Sequence, residues 1–482
     1  MSQNPPSQDP LDIYVIAIGG TGMAPMACLL KALGHRVSGV DGPLYPPMST
    51  LLEDVGIEPL VGYDAEHLET RTPDLVVIGN AVPRHNPEAQ QTEARNLPFL
   101  SMPQALSRFL LESRRPIVVS GTHGKTTTSS MAAWVYERCD QDPGFLIGGI
   151  PKNLDRSFQV GSGDRFVIEG DEYNAAYFDR GPKFLHYRPH TLILTSVEYD
   201  HADLYPSHEA LLDAYAQLVA LLPADGLLVA CGDSEDVRKI ASRAPCSVVY
   251  YGLEEHNDVH PRDLRIEAEA SVFRLPQGDV PGADGEEIEL RLTVPGEHNL
   301  SNALAVWAAA RHDGLDPAKV ADALQSFAGS KRRLEELGTA GGVTVVDDFA
   351  HHPTAVEKSL GGLRQRYPEG RLTALFEPRS LTAGRAFFRQ AYAGSFRHAD
   401  RVLLAPIFHS GRLEDDERLD LDALVQELRD AGVDAEAFDS VDDLAAAALD
   451  GARPGDVLVT MSSGSFEGLP HRLLERLQET SP

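Results

Sequence analysis

The chain alternates short apolar runs with stretches whose apolar residues recur at helical spacing. LDIYVIAIGG (11–20) reads as a buried strand. MAPMACLLKALG (23–34) follows it with a helical pattern that stops at Gly34, a residue suited to the end of a helix. RVSGVD (36–41) and DLVVIGN (74–80) are further strands, and this alternation runs to about residue 112. A second segment begins at RRPIVVSGTHGK (114–125) and holds the strands RFVIEG (165–170), TLILTSV (191–197) and GLLVAC (226–231). Residues 251–292 alternate in the manner of strands, interrupted by the polar loop PQGDVPGADGEE (276–287), whose composition predicts disorder. HNLSNALAVWAAARHDG (298–314) predicts a long, Ala-rich helix ending at glycine. A third segment opens near KRRLEELG (331–338), with strands VTVVDDF (343–349), RLTALFE (371–377), RVLLAPI (401–407) and DVLVTMS (456–462). Strand and helix in alternation predict α/β layers with mainly parallel sheets. The expected domains are 1–112, 113–330 and 331–482, in keeping with 482 residues at about 150 per domain.

Composition narrows the partners. A formal net charge of −29 excludes general binding to nucleic acid or an anionic membrane, and leaves room for a local basic pocket. The four cysteines form no metal-binding spacing and read as reduced thiols. MSQNPPSQDP at the start is polar, unlike a signal peptide, and no apolar run is long enough to span a bilayer. A cytoplasmic location and a soluble substrate are the expectation.

Glycines and carboxylates at strand ends carry the candidate chemistry. GGTGMAP (19–25) follows a strand and opens a helix, with Asp41 about 20 residues on, as in a dinucleotide fingerprint. Pro25 stands where the third glycine belongs. This leaves open NAD, another nucleotide's pyrophosphate, or a structural turn. GTHGKTTT (121–128) also follows a buried strand. Its G-K-T suits phosphate binding, although Val119 holds the position of the first glycine in the usual G-x-x-x-x-G-K-[ST]. Backbone N–H groups of Gly121, Thr122, His123, Gly124 and Thr127 would cradle phosphate, Lys125 would place a charge on it, and Thr126 is a candidate Mg²⁺ ligand. FVIEGDEY (166–173) ends a strand with Glu169, Asp171 and Glu172, a set suited to a hard cation or to a solvated turn. LTSVEYDHADLY (194–205) brings Asp200, His201 and Asp203 to a third strand end, where an imidazole could ligate metal or carry a proton.

Taken together, these motifs resemble those of the Mur ligases, ATP-dependent amide-forming enzymes of bacterial cell-wall synthesis. GTHGKTTT, EGDEYNAAYFD, EYDHADLY, PGEHNLSNALA and VVDDFAHHPTA occur in the family's order, and the resemblance covers essentially the whole chain. It implies three domains: an N-terminal Rossmann-like domain for the UDP-sugar, a central P-loop ATPase domain and a C-terminal Rossmann-like domain that brings the amine. His123 and DDFAHHP are similar to the branch that uses UDP-N-acetylmuramate. PGFLIGGIPKN, FEPRS and the stretch RGPKFLHYRP between Glu169 and His201 resemble ligases that attach the recycled tripeptide L-alanyl-γ-D-glutamyl-meso-diaminopimelate. Ligation of L-alanine is the alternative. The resemblance places Lys125 on the phosphates of ATP, Thr126 and Glu169 on one Mg²⁺, and His201 on a second. It places His298, Asn299 and Asn302 at adenine, Arg333 and Asp347 against ATP, and His351 beside the amine. Gly20, Thr21, Gly22, Met23, Asp41, Ser49 and Asn80 would bind the UDP-sugar, which weakens the NAD reading, and Arg379 and Ser380 would bind the peptide. The oligomeric state is open.

Overall fold

The computed structural model describes residues 9–199, 204–278, 286–414 and 416–480. Most of the polar loop 276–287, expected to be disordered, lies outside the described residues.

The first sheet is wholly parallel, in the order Leu60–Val61, Arg36–Asp41, Asp12–Ile16, Leu75–Ile78, Phe99–Ser101. The chain therefore reverses its direction of travel across the sheet beside Asp12–Ile16. GGTGM leaves the C-terminal end of that strand, at the switch point where open α/β sheets bind ligands. Asp41 holds this turn: its carboxylate accepts from Gly19 N at 2.7 Å, Gly42 N at 2.7 Å and Tyr63 Oη at 2.9 Å.

The central sheet runs Ser247–Tyr251, Leu227–Cys231, Thr191–Leu194, Arg115–Ser120, Arg165–Gly170, Gly144–Leu146, Phe158–Gln159, antiparallel only at the last pair. The helix Glu297–His312 is buried on nearly every side, which accounts for its alanines: small side chains let it lie close to the helix Lys125–Arg138 and the sheet. The alternating region folds into a separate three-stranded antiparallel sheet, Arg262–Ile266, Ser271–Pro276 and Glu287–Leu292, against the helix Pro317–Gln325.

In the third sheet the order is Glu335–Ala340, Val343–Asp348, Val457–Met461, Leu372–Phe376, Arg401–Leu404, Asp434–Ala437. Glu335–Ala340, a strand not expected from KRRLEELG at the start of this segment, pairs antiparallel at the edge. Apolar clusters cover both faces of this sheet. Residues 102–111 are helical and pack into one continuous cluster with both the first and the central sheets, so the chain passes between them through a core rather than an exposed linker.

Candidate active site

Strand register assembles the site. Ser120 lies opposite Gly170 on one neighbouring strand and Leu194 on the other. The glycine loop, the acidic motif and residues 195–199 therefore leave the sheet side by side at one edge.

The shortened loop is explained by its neighbour. Thr122 N donates to Ser196 O at 2.9 Å, His123 N to Ser196 Oγ at 3.1 Å, and Thr195 Oγ1 to His123 O at 2.5 Å. The strand beside the loop thus anchors turns that a longer loop would have to secure by itself. Close approach demands glycine: Gly121 has φ +135°, and a Cβ there would lie 2.3 Å from Thr195 Oγ1 and 2.7 Å from Ser196 O. At Gly124, with φ +83°, a Cβ would lie 2.9 Å from Asn302 Oδ1.

Lys125 opens the following helix and folds back, donating to Gly121 O at 2.6 Å and pairing with Glu172 at 3.0 Å. Burial works against its charge, but Glu172 and then Asp171 outweigh burial and hold the ammonium above the ordinary lysine value. Thr126 Oγ1 donates to Glu169 Oε2 at 3.1 Å, and Glu169 Oε1 accepts from Gly148 N at 2.7 Å. Burial, then the charge of Asp171, pushes the Glu169 carboxyl up.

The third sheet closes the site. Arg333 donates to Thr126 Oγ1 at 3.3 Å, and the guanidiniums of Arg332 and Arg333 lie 5.2 and 4.6 Å from the Phe349 ring centre. The chain enters this sheet through left-handed backbone at Arg332 (φ 59°) and Leu334 (φ 49°). Thr354 Oγ1 donates to Glu198 Oε2 at 2.7 Å, and the same oxygen lies 3.2 Å from His123 Nε2. Burial alone would raise the Glu198 carboxyl, but hydrogen bonding to His123, its charge, and then Thr354 bring it down to about 2.

These groups line a cavity of ≈ 660 Å³. It gathers Thr122, His123, Gly124, Lys125, Thr126, Thr127, Glu169, His298, Asn299, Asn302, Arg333 and His351 from the expected set, and Gly121 adjoins it through its carbonyl contact with Lys125. His351 Nδ1 is 3.1 Å from Phe349 O. Asp347, expected against ATP, does not line the cavity: its carboxylate faces Arg332 at 3.2 Å and Thr460 at 3.0 Å. Neighbouring residues of a strand face opposite ways, and Asp348 is the one that lines the cavity, accepting from Leu334 N, Ala350 N and Ser359 Oγ. His201, Asp200 and Asp203 lie outside the described residues. Gly20, Thr21, Gly22, Met23, Asp41, Ser49 and Asn80 belong to the first sheet's domain and do not line this cavity. Arg379 and Ser380 follow the strand Leu372–Phe376, also outside it. Arg379 lies over the Phe408 ring at 3.7 Å and beside Glu377 at 3.4 Å, and Ser380 Oγ accepts from Ala383 N at 3.0 Å.

Sequence reading passed over Glu198, His352 and Lys358, all at the cavity. Glu198 stood inside a quoted motif, and its position just past a core strand was the available signal. Lys358 is on a helix whose facing surface only tertiary packing decides.

His298 carries a pH consequence. Burial, then Lys358 and His123, lowers its imidazole to about 3. In the unfolded chain it takes up a proton near pH 6.5, so stability is full above that value and falls as pH drops toward 3. Between about pH 7.5 and pH 5 this group costs about 2 kcal/mol. Urea unfolding of His298→Phe at the two pH values is expected to show a loss smaller by that amount than in the parent; equal losses refute the assignment.

A nucleotide-type glycine loop, oxygen donors at its flank and a third α/β layer over both define a P-loop enzyme built on three mainly parallel α/β sheets. Three family models match in succession: the Mur ligase family catalytic domain over 12–114, the Mur ligase middle domain over 119–310, and the Mur ligase glutamate ligase domain over 332–464. The UDP-N-acetylmuramate–L-alanyl-γ-D-glutamyl-meso-2,6-diaminoheptandioate ligase of Escherichia coli (strain K12) is 41% identical over 468 residues, 96% of this chain and 98% of that protein. A UDP-N-acetylmuramate–L-alanine ligase of Desulforamulus reducens is 34% identical over 472 residues, 97% of this chain and 98% of that protein. The crystal structure of a murein peptide ligase from Psychrobacter arcticus superposes with a TM-score of 0.71 at 32% identity, covering 98% of this chain and all of that one. A UDP-N-acetylmuramate-alanine ligase structure from Thermotoga maritima, at 24% identity and a TM-score of 0.78 over 98% of this chain and all of that one, shares the fold. This chain belongs to the Mur ligase family and is an ADP-forming amide ligase. No helix among its described residues is long and apolar enough to cross a membrane.

Proposed function

We propose that the protein joins UDP-N-acetylmuramate to the tripeptide L-alanyl-γ-D-glutamyl-meso-diaminopimelate, with ATP converted to ADP and phosphate, in cytoplasmic recycling of cell-wall peptide. The observation that carries this reading is 41% identity, along 96% of the chain, to a ligase named for that reaction.

The residues fit the chemistry. A carboxylate is a poor acyl donor because its leaving group would be oxide. Transfer of the γ-phosphoryl group to the lactyl carboxylate gives an acyl phosphate; the peptide amine then adds to its carbonyl, and phosphate leaves as the amide forms. Lys125 would offset charge on the transferring phosphoryl oxygens, and the loop amides would hold the phosphates in line. Thr126 and Glu169 form an all-oxygen pair 3.1 Å apart, a donor set suited to Mg²⁺, which when bound polarises phosphoryl oxygens. His298, Asn299 and Asn302 are proposed to face adenine and Asp348 the ribose, while Arg333 reaches the phosphate loop from the third sheet. The first sheet's glycine turn, with Asp41, Ser49 and Asn80, is proposed for the UDP-sugar, His351 for the amine, and Arg379 with Ser380 for the peptide. Closure over the cavity excludes water that would hydrolyse the acyl phosphate.

Phosphate release with UDP-N-acetylmuramate and ATP, measured with tripeptide and with L-alanine in parallel, tests the reading. Tripeptide is expected to have the higher kcat/KM by at least about tenfold, roughly 1.4 kcal/mol. A preference for L-alanine overturns it.

A further inference from the structure

We propose that His123, Glu198 and His352 form a transition-metal site, of the class that takes Zn²⁺, bridging the central and third sheets. The inference does not depend on which amine the enzyme uses.

Three segments far apart in sequence converge here. His123 comes from the phosphate loop, Glu198 from beyond the strand Thr191–Leu194, and His352 from the N-cap of the helix Pro353–Arg366. One ligand atom from each residue lies within 4.8 Å of the other two. Zinc takes imidazole nitrogen and carboxylate oxygen at about 2.0–2.2 Å, which sets neighbouring ligand atoms about 3.4 Å apart. The separation of His123 Nε2 and Glu198 Oε2 is 3.2 Å. The His123 and His352 ring centres lie 4.8 Å apart, and metal binding would have to draw their ligating nitrogens closer.

The surroundings orient these ligands. Thr354 Oγ1 donates to Glu198 Oε2 at 2.7 Å, the kind of supporting contact that fixes a ligating carboxylate. Phe388 meets the His352 ring edge-on at 5.0 Å. The donor set, two nitrogens and one oxygen, differs from the all-oxygen Thr126–Glu169 pair, so a borderline cation and a hard cation would sort between the two positions. All three ligands line the cavity, which leaves a fourth coordination position toward it. A metal held here ties the phosphate loop to the first turn of a third-sheet helix, and so favours the closed arrangement.

The test is calorimetric titration of the full-length protein, free of nucleotide, with Zn²⁺, backed by visible absorption of the Co²⁺-loaded protein. The parent and Glu169→Gln are expected to bind one equivalent with the same affinity. His352→Ala and His123→Ala, checked for folding by thermal unfolding, are expected to lose affinity at least tenfold and to lose the intense Co²⁺ bands of four-coordinate geometry. Excess Mg²⁺ is expected to leave Zn²⁺ affinity unchanged. Equal Zn²⁺ affinity in the parent and His352→Ala overturns the proposal, as does displacement by Mg²⁺, which would assign the bound zinc to the oxygen pair.

Discussion

Lys125→Ala is expected to lower turnover by about 10³-fold, on the order of 4 kcal/mol of transition-state stabilisation. The reason is geometric. The ammonium is held at the mouth of the loop by Gly121 O and Glu172, and its side chain is 12% exposed, so water cannot substitute for it well. The same change has a second effect. Glu172, 3% exposed, loses its cation, at a cost of about 1–3 kcal/mol in folding stability. Lys125→Met combined with Glu172→Gln separates the two. The double variant is expected to regain most of the stability in urea unfolding and none of the turnover. Near-normal turnover in Lys125→Ala would refute the site, and recovery of activity in the double variant would show that the single change acted through folding.

Asp313→Ala is expected to destabilise the fold by about 3–5 kcal/mol, the range for removing one partner of a buried ion pair. Asp313 sits just past the helix Glu297–His312 and receives two nitrogens of Arg165, at 2.7 and 2.8 Å, and Tyr136 Oη at 2.6 Å. It thereby fastens that helix to the strand Arg165–Gly170 and to the helix after the phosphate loop. Arg165 side-chain exposure is 10% and that of Asp313 7%, so solvent does not replace the lost contact. Thermal and urea unfolding measure the loss. At a temperature where the variant remains folded, its kcat is expected to stay near that of the parent. A loss below about 1 kcal/mol would contradict the role.

Much of this was legible in the chain. Strand–turn–helix alternation located the three mainly parallel sheets, because buried parallel strands read as continuous apolar runs. The glycine loop and the carboxylates at strand ends located the cavity, because open α/β sheets place chemistry at the C-terminal edge. Other features depend on contacts between distant residues. VVDD contains both Asp347 and Asp348, and local pattern does not say which one faces the cavity; pairing of that strand between Glu335–Ala340 and Val457–Met461 decides it. Asp313 read as the polar end of a helix, since its partner Arg165 is 148 residues away. Arg332 and Arg333 are adjacent and alike in sequence, yet one holds Asp347 and the other Thr126.

That last pair lies in the connection between the central and third sheets. The same short connection carries the guanidinium that reaches the phosphate loop. Any displacement of the third sheet relative to the central one would therefore move Arg333 relative to Thr126. If nucleotide binds the phosphate loop with Arg333 in this position, its affinity and the placement of the third sheet are thermodynamically linked: whatever favours this placement tightens binding, and bound nucleotide favours the placement by the same free energy.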